Sequence, residues 1–143
     1  MEEIDDLVSA LRGADGGERL RAARVLKGIA EREPARLAGH ARVLVRAALD
    51  PGATDVRTRW QMTIVLGCLP LKGRDRLAVV DWLWERLEDA SGLQRTFSMQ
   101  ALFDLSLADA GLRERVMAVV RRFAEEGTAA MRARARRLMR EGG

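Results

Sequence analysis

Apolar residues recur three and four positions apart along almost the whole chain, the spacing that places them on one face of a helix. Polar and charged residues fill the positions between them. This pattern predicts eight helices, at about residues 2–12, 17–32, 34–49, 54–68, 75–89, 93–107, 110–125 and 128–140. The helix-start signals agree with those bounds, because Pro34 suits a first helical turn and Thr54 or Asp55, Asp109 and Thr128 can cap helix N-termini.

The helical pattern repeats with a period of about 38 residues. The stretches VRTRWQMTIVL and LQRTFSMQALF both carry an Arg-Thr pair near the start of an apolar run. The arginine of this pair extends to a column of four, separated by 38, 38 and 37 residues: Arg19, Arg57, Arg95 and Arg132. A column in the preceding helix keeps the same three steps: Leu7, Val45, Leu83 and Val120. The chain therefore contains four copies of one helical hairpin.

Four helical hairpins in succession predict an all-α fold, an α-solenoid of about eight helices. The residue types agree, since Leu, Ala, Arg and Glu favour helices and the chain has no Tyr and only three Pro. The period passes unchanged through the segment LPLKGRD, the only candidate linker. We therefore predict one domain over residues 1–143, with repeats at about 1–32, 33–70, 71–108 and 109–143.

The basic charge is concentrated in the last predicted helix. The chain has 25 Lys and Arg against 21 Asp and Glu, which gives a net charge of +4. Residues 127–143 hold five arginines and one glutamate, 5 − 1 = +4, so the remaining 126 residues are neutral overall. A solvated terminal helix and a nucleic-acid contact both fit this distribution.

The sequence predicts a cytoplasmic protein with no membrane contact. Its first residues, MEEIDDLVSALRG, are acidic and amphipathic and lack the basic start of a signal peptide. No apolar run approaches the roughly 18 residues of a membrane span. Cys68 is the only cysteine, so no internal disulfide can form, and a reducing compartment is the simplest setting.

No residue set predicts catalysis, and we expect a non-enzymatic protein without a metal or cofactor. His40 and Cys68 are the single histidine and cysteine, whereas zinc requires about four N or S ligands. Adjacent carboxylates such as Glu88 and Asp89 point to different faces of a helix, which does not suit an acid/base pair.

The second helix of each repeat resembles the HEAT-repeat family, in which this helix typically reads apolar-Arg-x-x-Ala-Ala-x-Ala-Leu. The matching segments are LRAARVL, VRTRWQMTI, QRTFSMQAL and MRARARRLM. In the first repeat the motif arginine is Arg21 rather than Arg19, and in the second Trp60 replaces a small residue. The resemblance implies HEAT-like hairpins over the whole chain. It also implies that Arg57 and Arg95 pair with acidic groups or helix-end carbonyls.

In such a solenoid the second helices line the concave face, and the repeat register predicts which side chains form a groove there. This groove has an apolar middle and two basic ends. Protein interfaces combine apolar anchors with a charged rim, so we predict a scaffold that binds an amphipathic helix, a peptide or a second copy of the chain. The predicted groove residues are Met62, Val65, Leu69, Gln100, Phe103 and Leu107, and the basic rim residues are Arg24, Lys27, Arg137 and Arg140. Of the groove residues, Met62, Val65, Phe103 and Leu107 are predicted to be partly exposed together.

Two alternatives stay open at the level of sequence. The first is a basic nucleic-acid-binding module led by the arginine-rich last helix, with weak, salt-sensitive binding. HEAT-like alkylpurine DNA glycosylases fall under this alternative because they use Trp, Asp and Arg in a concave groove, and Trp60 and Asp104 match those residue types. Those enzymes are considerably longer and are basic along most of the groove. The second alternative is an accessory subunit that is fully ordered only in a complex.

Overall fold

The computed structural model describes residues 3–52 and 55–142, and all regular structure within those ranges is helical. The all-α prediction is therefore confirmed. The helices are α1 (Ile4–Leu11), α2 (Gly16–Arg32), a 3₁₀ helix (Pro34–His40), α3 (Ala41–Leu49), α4 (Val56–Cys68), α5 (Gly73–Arg86), α6 (Gly92–Leu105), α7 (Ala110–Glu126) and α8 (Ala129–Gly142). None of these described helices has both the length and the apolar character needed to cross a membrane.

The third predicted helix, at 34–49, is in fact two elements. Pro34 opens a 3₁₀ helix, as its fixed φ permits, but His40 has φ −113° and ψ 7°, so the α-helical conformation begins only at Ala41. Within the 3₁₀ helix only Leu37 is buried, so little packing favours a regular α-helix there.

Side-chain caps open five of the described helices, the first being α2, where the carboxylate of Asp15 accepts from the N–H of Glu18 at 3.1 Å. The carboxylate of Asp55 accepts hydrogen bonds from the backbone N–H groups of Arg57 and Thr58, at 3.2 and 3.4 Å. Asp109 caps α7 and Thr128 bonds to the first turn of α8, as predicted. The remaining candidate, Thr54, lies outside the described residues. The cap of α6 is Ser91, which the sequence reading did not identify.

The chain divides into two compact units, Met1–Val79 and Val80–Gly143, with the boundary inside α5. In unit 1, α1 packs against α2 and α3, and α2 packs along α4. In unit 2, α7 packs along α8, and α6 contacts both. The prediction of one domain over the whole chain stays a prediction.

The column of first-helix residues that defines the repeat is buried throughout. Leu7 and Val45 are buried in unit 1, and Leu83 and Val120 are buried in unit 2. In the second helices, Ala22, Ser98 and Ala135 are also buried, whereas the bulky Trp60 at the equivalent position is only half-buried. The 38-residue period therefore predicts this first-helix column of core positions correctly in both units.

A short extended connection, Leu69–Lys72, joins α4 to α5. Leu69 and Leu71 are buried, while Pro70 and Lys72 are exposed. Gly73 opens α5 with φ +56°, a left-handed conformation that glycine adopts without steric cost.

Candidate functional site on the α6–α8 face

Four of the six predicted groove residues are buried. The prediction of partial exposure is therefore wrong for Met62, Val65 and Phe103, and the groove residue Leu69 is buried as well. The exposed fractions of Met62 and Val65 are 2% and 0%, and Leu69 and Phe103 are equally inaccessible. The physical reason is that the buried residues of α4 and α6 extend around most of each helix and leave only a narrow accessible side, and Met62, Val65 and Phe103 lie outside that side. Met62 lines a small pocket with Leu11 and Ala47 rather than a wide groove.

Phe103 is covered by the last turn of α8. A methyl group placed on Gly142 would lie only 2.9 Å from Cε2 of Phe103 and 3.2 Å from Sδ of Met117. The carbonyl of Gly142 accepts a 2.6 Å hydrogen bond from the guanidinium of Arg113, which satisfies one backbone group at the end of the helix. Phe103 is thus part of the core of unit 2.

The other two predicted groove residues remain accessible on α6. Gln100 is half-buried, and Leu107, which follows α6, has 58% of its surface exposed. Gln100 and Asp104 lie on one side of α6, because they are four residues apart. Leu107 lies in the turn that follows the helix, where its N–H bonds back to the carbonyl of Asp104 at 3.4 Å. Beside Gln100 and Asp104 runs a stripe of α8 with the same kind of spacing, Arg134, Arg137 and Glu141. We call these six residues the α6–α8 face.

Hydrogen bonds centred on Gln100 join the two stripes. Its side-chain oxygen accepts from Nη1 of Arg134 at 3.2 Å and from Nη2 of Arg137 at 3.4 Å. Its amide nitrogen donates to Oδ1 of Asp104 at 3.1 Å. Nε of Arg137 also lies 3.7 Å from the carboxylate of Glu141, one turn further along α8. One neutral amide therefore holds two arginines and one carboxylate in place.

The electrostatics of the face reflect this crowding. Burial raises the pKa of Asp104 and Glu141 adds to the effect, while the hydrogen bond from Gln100 and the two arginines oppose it. Burial and the charge of Arg137 lower the pKa of Arg134, although a guanidinium stays charged at any physiological pH. The two arginines are thus close to each other, and the carboxyl groups of Asp104 and Glu141 lie beside them.

The predicted basic rim does not form one site. Arg24 and Lys27 lie on α2 in unit 1, where Arg24 is exposed and Lys27 stands 4.0 Å from Glu31. Arg137 belongs to the α6–α8 face, and Arg140 is exposed elsewhere on α8. Among the four rim residues, only Arg137 contacts a predicted groove residue, Gln100.

Two arginines of the repeat column make the same contact in different units. Arg19 donates from Nη1 to the carbonyl of Gly13 at 3.0 Å, and Arg95 donates from Nη1 to the carbonyl of Asp89 at 2.6 Å. Both bonds reach back six residues into the preceding hairpin turn, so the predicted pairing is confirmed for Arg95. It is wrong for Arg57, which is exposed and makes no such contact with the described residues.

Sequence reasoning did not place Arg134 in the site, and it considered Asp104 only by analogy with the glycosylases. Helical spacing could have indicated both residues. Asp104 is four residues after Gln100 and Arg134 is three before Arg137, so each shares a side of its helix with a residue predicted to lie in the site. The contact between Arg134 and Gln100 joins residues 34 apart, however, and only the packing of α8 against α6 creates it.

No protein-family model, no curated protein and no solved structure matches this chain. The assignment of a repeat class and of a function therefore depends on the residues of the chain itself.

Proposed function

We propose that this chain is a HEAT-like helical-repeat scaffold, without enzymatic activity, that binds a protein partner through the α6–α8 face. The observation that carries the proposal is the exposed Leu107 in the turn after α6, the helix whose Gln100 and Asp104 join an ordered group of arginines and carboxylates. An accessible apolar side chain beside fixed charged groups is the composition of a protein interface, in which arginine is enriched.

The repeat part of the proposal is supported within each unit separately. First helices pack on first helices in unit 1, where α1 contacts α3, and second helices pack together in both units, as α2 with α4 and α6 with α8. The matching contacts of Arg19 and Arg95 lie 76 residues apart, which is twice the period of 38. Both features are expected of stacked hairpins of one kind.

The charges on the face favour a protein partner over nucleic acid. Asp104 and Glu141 stand among the arginines, so a row of successive phosphates would lie against carboxylates as well as against guanidinium groups. A protein surface can supply both signs of charge, so it can complement the whole face. The predicted apolar groove cannot supply this contact, because its central residues are buried.

The geometry also indicates what the partner supplies. Arg134 and Arg137 share one neutral oxygen at 3.2 and 3.4 Å, which is long compared with the roughly 2.7–2.9 Å bonds that guanidinium groups make to carboxylates. A carboxylate from the partner is a stronger acceptor than Gln100 and can replace its oxygen. We therefore propose a segment, such as a helix, that carries an Asp or Glu and an apolar residue for Leu107.

Capture of partners by variants of the tagged chain tests this function. We expect Leu107→Asp and Arg137→Glu each to lose a protein that the wild type retains, because one removes the apolar contact and the other reverses a charge. Leu77→Asp is the matched control, since Leu77 is 66% exposed on α5 in unit 1. Sedimentation of the wild type and the same variants tests a second copy as the partner.

The proposal predicts one pattern: binding or self-association that persists in Leu77→Asp and disappears in both other variants. If every captured protein is retained equally by all three variants and the wild type sediments as a monomer, the α6–α8 face is not a binding surface. Circular dichroism of each variant shows whether it remains folded.

A further inference from the structure

The hairpin formed by α7 and α8 is far more basic than the rest of the chain. Residues 110–142 contain nine arginines, four glutamates and no lysine, which gives 9 − 4 = +5. The rest of the chain has 16 basic and 17 acidic residues, 16 − 17 = −1. The net positive charge of the protein therefore belongs to this hairpin.

Only one of these nine arginines forms an ion pair with a described residue, Arg137 with Glu141. The others that make contacts use neutral groups instead. Arg113 and Arg136 donate to backbone carbonyls, Arg134 shares the amide of Gln100, and Arg115 and Arg122 lie over aromatic rings. The hairpin thus carries cations whose charge the described part of the chain does not neutralise.

Four of these arginines lie along one edge of the hairpin. Arg132, Arg136 and Arg140 follow one another at intervals of four residues, so they share one side of α8. That side faces α7, because Nη2 of Arg136 lies 3.4 Å from the carbonyl oxygen of Ala124. Arg121 is three residues before Ala124 and lies on the same side of α7. We call these four residues the arginine ridge.

We propose that the arginine ridge binds the phosphate backbone of nucleic acid. Guanidinium groups present a planar fork of donors that matches phosphate oxygens, and affinity for nucleic acid comes from neutralising successive phosphates. The side chains of Arg121, Arg132 and Arg140 make no hydrogen bond or ion pair with the described residues, so no internal side-chain contact of these three has to break. Ala129 and Ala133 on α8 are exposed and small, so neither crowds the neighbouring Arg132 and Arg136.

This binding does not depend on base sequence. The ridge contains only arginines, and the phosphate backbone is the same for every sequence. It is separate from the α6–α8 face, whose arginines lie on the other flank of α8 and bond to Gln100. The nucleic-acid proposal therefore does not rest on the protein-binding function and can fail independently of it.

Fluorescence anisotropy with a labelled duplex of about 20 base pairs tests the ridge. Four phosphate contacts give a slope of about −3.6 in a plot of log K against log salt, so affinity falls about 100-fold between about 50 and 200 mM salt. Arg121→Gln with Arg140→Gln removes two contacts. We expect the slope to fall to about −1.8 and the loss of affinity over the same range to about tenfold.

A second double variant serves as the matched control. Arg46→Gln with Arg57→Gln removes two exposed arginines from unit 1, and we expect it to keep the wild-type slope. Equal slopes for both double variants would mean that binding follows overall charge, and the ridge would be excluded. A slope near zero, or equally tight binding to polyglutamate of similar charge, would likewise exclude a phosphate site.

Discussion

Phe103 and Leu107 are only four residues apart, yet Phe103 is 4% exposed and Leu107 is 58% exposed. The difference arises from α8, whose final turn closes over Phe103 and leaves Leu107 in solvent. We therefore expect Phe103→Asp to unfold unit 2. The change removes a buried ring, which costs about 3–5 kcal/mol when Phe becomes Ala, and it also buries a charge.

Thermal unfolding followed by circular dichroism measures this effect. The same substitution at Leu107 is the control and should leave the melting temperature almost unchanged. Similar melting of both variants would contradict the burial of Phe103.

Phe103 and Leu107 also show which side chains the sequence correctly predicts to be buried or exposed. The 38-residue register places Leu7, Val45, Leu83 and Val120 in the core, because one buried face per first helix repeats with the period. It places Gln100 and Leu107 at accessible positions for the same reason. It fails for Met62 and Phe103, since their cover comes from helices distant in sequence, and helical periodicity contains no information about that cover.

At the scale of the element, hydrogen-bonding caps determine where the second helices begin. Burial raises the pKa of Asp55, but the hydrogen bonds from Thr58 and Arg57 and the nearby charge of Arg19 outweigh it, so the pKa is lowered. A carboxylate with a lowered pKa stabilises the fold above its unfolded value of 3.8, and this contribution is lost as pH falls through the lowered pKa.

Asp55→Ala should therefore lower the free energy of unfolding by about 1 kcal/mol at neutral pH, the usual contribution of an N-cap. The difference from the wild type should shrink once the pH is acidic enough to protonate Asp55. Urea unfolding at neutral and acidic pH measures both effects. Asp81→Ala is the control, because Asp81 is exposed on α5, and a loss as large as that of Asp55→Ala would count against the cap.

Elements whose signals are local were predicted well, and those that depend on weak packing were not. Asp55, Asp109 and Thr128 cap helices as the sequence indicates, since a cap involves only the next three residues. The sequence predicts an α-helix where the 3₁₀ helix lies, because Pro34 can begin either kind of helix. The segment buries only Leu37, so packing does not favour the α-helical form there.

At the scale of the whole molecule, the sequence predicts the all-α class, which is confirmed, whereas the four-hairpin solenoid stays a prediction. The 38-residue period runs along the whole sequence, so it can be found without a structure. The α6–α8 face cannot, because it depends on an amide and two arginines that α6 and α8 bring together across 34 and 37 residues. The proposed partner follows from that juxtaposition rather than from any motif.

The exposed connection before α5 has a consequence for proteolysis. The chain has only two lysines: Lys72, exposed in that connection, and Lys27, half-buried within α2. A protease specific for lysine should therefore cut the native protein first after Lys72, and it can release residues 73–143, with all of α5 to α8, as one fragment. Mass spectrometry of a brief digest would show this, whereas equally rapid cleavage at Lys27 would contradict it. Lysine acetylation cannot neutralise the positive charge of the α7–α8 hairpin, because that hairpin contains no lysine.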